Sequence, residues 1–213
     1  MTGFFISFEG VEGSGKSTQL AQLAQHLRSR GFEVLELREP GGTPIGERVR
    51  HLLLDEGSQA LAPAAELCLY LASRAQLVVE ILEPALRAGQ LVLCDRFSDS
   101  TFAYQGYGRG LDLESIQRLN QLASRGLVPD MTFLLDLEPE VGLGRLGGKD
   151  RLEKEDLSFH RRVREGYLAL AKREPGRVKV IVADQGRETI AAEVRGHVEA
   201  LLKERQPLIS HGL

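Results

Sequence analysis

The sequence predicts an α/β fold in which one five-stranded parallel sheet is covered by helices on both faces. Two observations carry that reading: five short β-rich runs that are nearly continuous in apolar residues, and longer stretches of helical pattern between them. A strand apolar on both sides must be buried on both sides, and parallel neighbours need a crossover element to join them. A length of 213 residues suits one domain with a full core.

The first run, FFISF (4–8), is followed by a helix over 16–30 that stops at Gly31. EVLEL (33–37) supplies the second strand, and helices over 45–54 and 62–88 lead to LVLCD (91–95), with Gly89 closing the second of these helices. A helix over 113–124 ends before Gly126 and leads into TFLLDL (132–137). Helices over 138–145 and 156–172, the strand VKVIVA (178–183) and a last helix over 187–203 complete the pattern. Gly31, Gly89 and Gly126 each stand where a left-handed C-terminal cap is wanted. GLGRLGGKDR (142–151) interleaves four glycines with three cations and reads as a flexible basic flap, and RQPLISHGL reads as a loosely held tail.

The formal charge of -3 argues against wide electrostatic capture of nucleic acid or an anionic membrane, so any anion site must be local. Cys68 and Cys94 both sit among apolar neighbours and read as buried thiols of a reducing compartment. The opening MTGFFISFEG has no basic region before its short apolar run, and no segment is long enough for a membrane helix, so the expectation is a cytoplasmic protein.

Gly10 to Ser17 matches G-x-x-x-x-G-K-[ST] between a predicted strand and a predicted helix, the context that gives the motif its meaning. Glycines let successive backbone N–H groups turn inward onto phosphate oxygens, and the helix start adds its positive end. Lys16 is then expected to bridge β- and γ-phosphates and Ser17 to place its hydroxyl on Mg²⁺. Asp95 closes the third strand, where a carboxylate can hold the metal through water, and Arg96 beside it can grip a second phosphate bidentately. A guanine-reading N-K-x-D segment and a second acid after Asp95 are both absent from the strand ends.

With FEGVEGSGKST (8–18), REPGGT (38–43), YLASRAQL (70–77), DRFSDSTFAYQGYGRG (95–110) and PDMTFLLDLEPEVGLGR (129–145) in this order and spacing, the chain resembles bacterial thymidylate kinase. The resemblance implies a P-loop NTPase three-layer fold with a short lid over about 142–155, and Mg²⁺-dependent transfer of the γ-phosphate of ATP to dTMP. It also implies a homodimer, through helices 62–88 and 113–124. ATP would lie on Gly10, Val11, Glu12, Gly13, Ser14, Gly15, Lys16, Ser17 and Thr18, with Arg145 over adenine.

The resemblance places dTMP against Glu12, Arg38, Tyr70, Arg74, Arg96, Thr101, Tyr104 and Gln105. Glu12 would meet the sugar 3′-hydroxyl, Tyr70 would stack on thymine, Arg74 would reach the base edge, and Arg96 would hold the phosphate; Arg48 is a further companion for that phosphate. The phosphate loop carries no arginine, so the lid must supply the catalytic one; Arg151 is the candidate, with Lys149 beside it. No histidine is assigned a role. A different monophosphate or deoxynucleoside kinase, and a slow nucleotide-dependent switch, remain as alternative readings.

Overall fold

The computed structural model describes residues 3–58, 60–146 and 150–205. Five parallel strands run β1 (Phe4–Glu9), β2 (Val34–Arg38), β3 (Leu91–Asp95), β4 (Met131–Asp136) and β5 (Val178–Val182), in the order β2-β3-β1-β4-β5. β1, β3 and β4 are buried almost throughout, as their continuous apolar runs require, whereas the edge strands β2 and β5 are partly exposed. Register places Phe8 beside both Asp95 and Phe133, so β1 and β3 end within one residue of each other and β4 runs two residues further. The order reverses at β1, and the crevice for a ligand opens there.

The helices are α1 (Lys16–Ser29), α2 (Pro44–Leu54), α3 (Pro63–Leu77), α4 (Glu83–Arg87), α5 (Ser98–Thr101), α6 (Leu113–Ala123), α7 (Pro139–Gly144), α8 (Leu157–Arg173) and α9 (Arg187–Arg205). Side-chain caps start three of them: Thr43 Oγ1 accepts from Gly46 N at 2.9 Å, Asp112 from Ser115 N at 2.8 Å, and Asp156 from Phe159 N at 2.7 Å. Gly31, Gly89 and Gly126 have φ of 87°, 82° and 77°, the left-handed caps read from the sequence. The helix expected over 62–88 forms, with a π turn at Val78–Leu82 just before Pro84. Proline lacks the amide donor and crowds the carbonyl four residues back, and a wider turn absorbs both defects.

One segment was not read as helical: α5 continues into a π turn, Phe102–Gly108, that packs tightly on α8. A Cβ on Gly108 would meet Phe159 at 2.7 Å, so the close approach depends on glycine there. Phe8 and Phe133 meet at a tilt of 39° with ring centroids 5.3 Å apart in the main core, and Phe5 meets Phe97 edge-on at 4.8 Å on the other side of the sheet. Cys94 is buried as expected, but Cys68 is exposed: α3 turns its Leu67 and Leu71 face inward and leaves the position between them outside. Among the described residues, no helix is long and apolar enough to cross a membrane.

Candidate active site

The loop between β1 and α1 carries Gly10, Gly13 and Gly15 at φ of 142°, 69° and 93°. These conformations turn the backbone into a cradle that side-chain-bearing residues rarely form. Gly13 is also pressed against α7, where a Cβ would lie 2.1 Å from the Gly142 carbonyl oxygen. Val11 is buried in the core, and its carbonyl accepts from Lys16. Lys16 folds back over the loop, its Nζ donating to Val11 O at 2.9 Å, Gly10 O at 3.1 Å and Ser14 Oγ at 3.4 Å. Burial, and then the Arg96 guanidinium, push the Lys16 ammonium down to about 8.

Two grooves open from this loop. The first, of about 300 Å³, is walled by Arg38, Tyr70, Arg96, Tyr104 and Gln105, with Asp95 and Glu12 toward the loop. The second runs past Ser14, Gly15 and Thr18 and is flanked by Arg145, Gln185 and Arg187. Gly13, Lys16 and Ser17 line both, so the grooves meet head-on at the phosphate loop. Ser17 Oγ donates to Asp95 Oδ2 at 2.5 Å at that junction.

Arg96 extends into the first groove from the end of β3. Its Nη1 donates to Gly10 O and Tyr167 Oη, each at 3.0 Å, its Nη2 donates to Glu12 Oε1 at 3.1 Å, and the guanidinium lies 4.9 Å over the Tyr104 ring. Tyr104 also donates to Glu12 Oε1, and His160 Nδ1 lies 3.2 Å from Glu12 Oε2. Burial raises the Glu12 carboxyl, but the His160 ring, Arg96, Lys16 and Tyr104 together outweigh it and bring the group down to about 2. Glu9, at the end of β1, behaves oppositely: burial and then the Asp99 carboxylate push it up to about 8 against the pull of Arg96.

Glu12, Arg38, Tyr70, Arg96, Tyr104 and Gln105 are therefore brought together on one groove, and Arg145 reaches the loop from the other side, with Nη1 3.3 Å from Gly13 O. Four expectations need correction. Arg74 does not line the groove: it is fully buried, with Nε donating to Glu39 at 2.8 Å, Nη1 to Thr101 at 2.9 Å and Asn120 at 2.6 Å, and Nη2 to Phe97 O at 3.1 Å. Thr101 is buried with it, and Ser100 takes the lining position. Arg48 is exposed on α2 while Arg50, two residues or roughly 200° further round the helix, enters the groove.

Arg151 is the fourth. It is 5% exposed, its Nε donates to Leu53 O at 2.8 Å and its Nη2 lies 2.7 Å from Glu66 Oε2, so its charge is spent inside the fold. Lys149 lies outside the described residues. The sequence reading also passed over Glu9, Tyr167 and His160. Glu9 had a visible signal, a charged residue closing an otherwise apolar strand; the other two share an α8 face, seven residues apart, that only the fold points inward.

The thymidylate kinase family model matches residues 8–194. The chain is 50% identical over 211 residues to the thymidylate kinase of Desulfovibrio desulfuricans, covering 94% of this chain and 97% of that one. It is 52% identical over 208 residues to the thymidylate kinase of a Synechococcus species, covering 98% of each. The crystal structure of thymidylate kinase from Ehrlichia chaffeensis superposes with a TM-score of 0.79 at 37% identity, covering 93% of this chain and all of that one. With a parallel sheet, a phosphate loop and two grooves meeting at it, the chain belongs to the thymidylate kinase family.

Proposed function

We propose that the two grooves hold ATP and dTMP end to end, so that the γ-phosphoryl group passes in line from one to the other. The observation that carries this reading is the sharing of Gly13, Lys16 and Ser17 by both grooves. Phosphoryl transfer asks for alignment and charge neutralisation more than covalent help. Lys16 and Arg96, which share the Gly10 carbonyl oxygen as acceptor, both bring cations to the junction, and the acceptor phosphate is already an anionic nucleophile, so no protein base is required. Arg145 and Leu146, within the 142–155 stretch expected to form the lid, flank the ATP groove, while Arg151 and Leu152 are buried in the fold.

Ser17 and Asp95 fit Mg²⁺: they offer a hydroxyl and a single carboxylate at the junction, and this ion commonly takes one or two protein oxygens with phosphates and waters. When bound, Mg²⁺ supplies charge that draws neighbouring phosphate oxygens together. Tyr70 is mostly buried, and burial raises its phenol well above the ordinary value, so it presents a neutral ring edging the acceptor groove, suited to thymine. Tyr104, braced between Arg96 and Glu12, fills the space where a ribose 2′-hydroxyl would project.

ADP formation measured with dTMP, dUMP, dCMP, dAMP and dGMP as acceptors tests the assignment. dTMP should rank first and dUMP second, a methyl being worth about 1–3 kcal/mol. Another nucleotide ranking above dTMP would overturn it. A homodimer through the 62–88 stretch and α6 is supported by exposed Val79 in the π turn after α3 and by exposed Leu119 and Leu122 on α6, the last 76% exposed, and sedimentation tests it. A cytoplasmic setting is supported by the two unpaired thiols.

A further inference from the structure

Arg96 has φ of 72°, one of two non-glycine residues with positive φ among the described residues. Contact between Cβ and the neighbouring carbonyl disfavours that conformation, and it persists only where the surroundings impose it. The surroundings here form a closed ring of hydrogen bonds. The Phe97 amide, next along the chain, donates to Glu9 Oε1 at 2.7 Å; Tyr167 Oη donates to Glu9 Oε2 at 2.7 Å; and Arg96 Nη1 donates to Tyr167 Oη at 3.0 Å. Glu9 and Tyr167 are 0% and 1% exposed, and neither lines either groove. One buried carboxyl group thus holds the backbone of the Arg96 turn with one oxygen and, through a phenol, the guanidinium with the other.

We infer that Glu9 and Tyr167 are positioning residues for Arg96: Glu9 clamps the left-handed turn, and Tyr167 aims the guanidinium into the acceptor groove. The inference rests on the proposed role of Arg96 at the dTMP phosphate. Tyr167 belongs to α8, so the aim of Arg96 also depends on how α8 is seated. A hydrogen bond of this kind between backbone and side-chain oxygen fixes direction without adding a group to the reacting atoms.

Steady-state rates with ATP and dTMP varied separately test it in the wild type, Tyr167→Phe and Glu9→Gln. Tyr167→Phe should raise KM for dTMP about tenfold, with KM for ATP within about twofold. Glu9→Gln keeps an oxygen for the Phe97 amide and should raise KM for dTMP about threefold or more. In an Arg96→Lys background Tyr167→Phe should change KM for dTMP by less than about twofold, because lysine has no planar fork to aim. An unchanged KM for dTMP in both variants, equal rises for both substrates, or the same factor in the Arg96→Lys background would each overturn the positioning role. Should Tyr167→Phe not fold, Glu9→Gln carries the test alone. A wild type without dTMP-dependent ADP formation overturns the kinase reading beneath it, whereas an active wild type matched by both variants overturns the positioning alone.

Discussion

Replacing Arg74 by methionine removes a charge from the interior while keeping most of the volume. The guanidinium is fully buried and serves four acceptors, yet Glu39 depends on it more than any of them: both Nε and Nη2 approach Glu39 Oε2, at 2.8 and 2.7 Å, and Glu39 Oε1 has no hydrogen-bond partner among the described residues. Removing one partner of a buried ion pair costs about 3–5 kcal/mol, because the other is left uncompensated. At about 2–4 °C per kcal/mol for a chain of this size, Tm should fall by roughly 6–20 °C. Glu39 adds a pH signature. Burial raises its folded value above the ordinary 4.5, and Arg74 is what holds it back. A raised carboxyl contributes most below the unfolded value and loses that contribution as pH rises toward the folded one. Without Arg74 the folded value climbs further, so the deficit of the variant should widen between about pH 5 and 8. Urea unfolding at both pH values measures it by linear extrapolation. The double variant Arg74→Met/Glu39→Gln should recover part of the loss, with a coupling of about 2 kcal/mol. A loss below about 1 kcal/mol, or a gap that narrows with rising pH, would refute the reasoning.

Lys16, held near 8, should take up about half a proton when ATP binds at pH 8 and almost none at pH 6, since phosphate anions raise its value; calorimetry in buffers of different ionisation enthalpy reads this, and zero uptake at pH 8 would contradict it. Arg96→Ala should weaken dTMP binding by about 30-fold or more while ATP affinity stays within about threefold, and the reverse ranking in equilibrium titrations would count against the groove assignment. Arg151→Ala should lower unfolding free energy by about 1–3 kcal/mol through the loss of its Glu66 and Leu53 contacts, with kcat within about threefold. A fall in kcat near a thousandfold with stability intact would return Arg151 to the chemistry.

Residues of the phosphate loop were legible because their chemistry is local. Strand, glycine turn, Lys16 and Ser17 are contiguous, and the cradle they form needs no distant partner to be recognised. Asp95 and Arg96 were legible for a similar reason: they end an inner strand, and the carboxyl ends of such strands in an open α/β sheet face the crevice. Arg74, Thr101 and Arg151 were placed on the wrong side of that crevice. A cation in sequence carries no mark of whether its head will face a groove or a buried carboxylate, and Glu39 and Glu66, which claim Arg74 and Arg151, stand 35 and 85 residues before them.

The sequence by itself determined the order of strands and helices, their glycine stops and the anion-binding turn, all set by periodicity, backbone conformation and short-range hydrogen bonding. Tertiary structure alone decided which charges meet. Glu9 finds Tyr167 across 158 residues and Glu12 finds His160 across almost as many, so burial and pairing, and with them the aim of Arg96, exist only once β1, β3 and α8 have packed together. Local rules act over a few bonds, whereas desolvation and ion pairing depend on distances that only the folded chain defines.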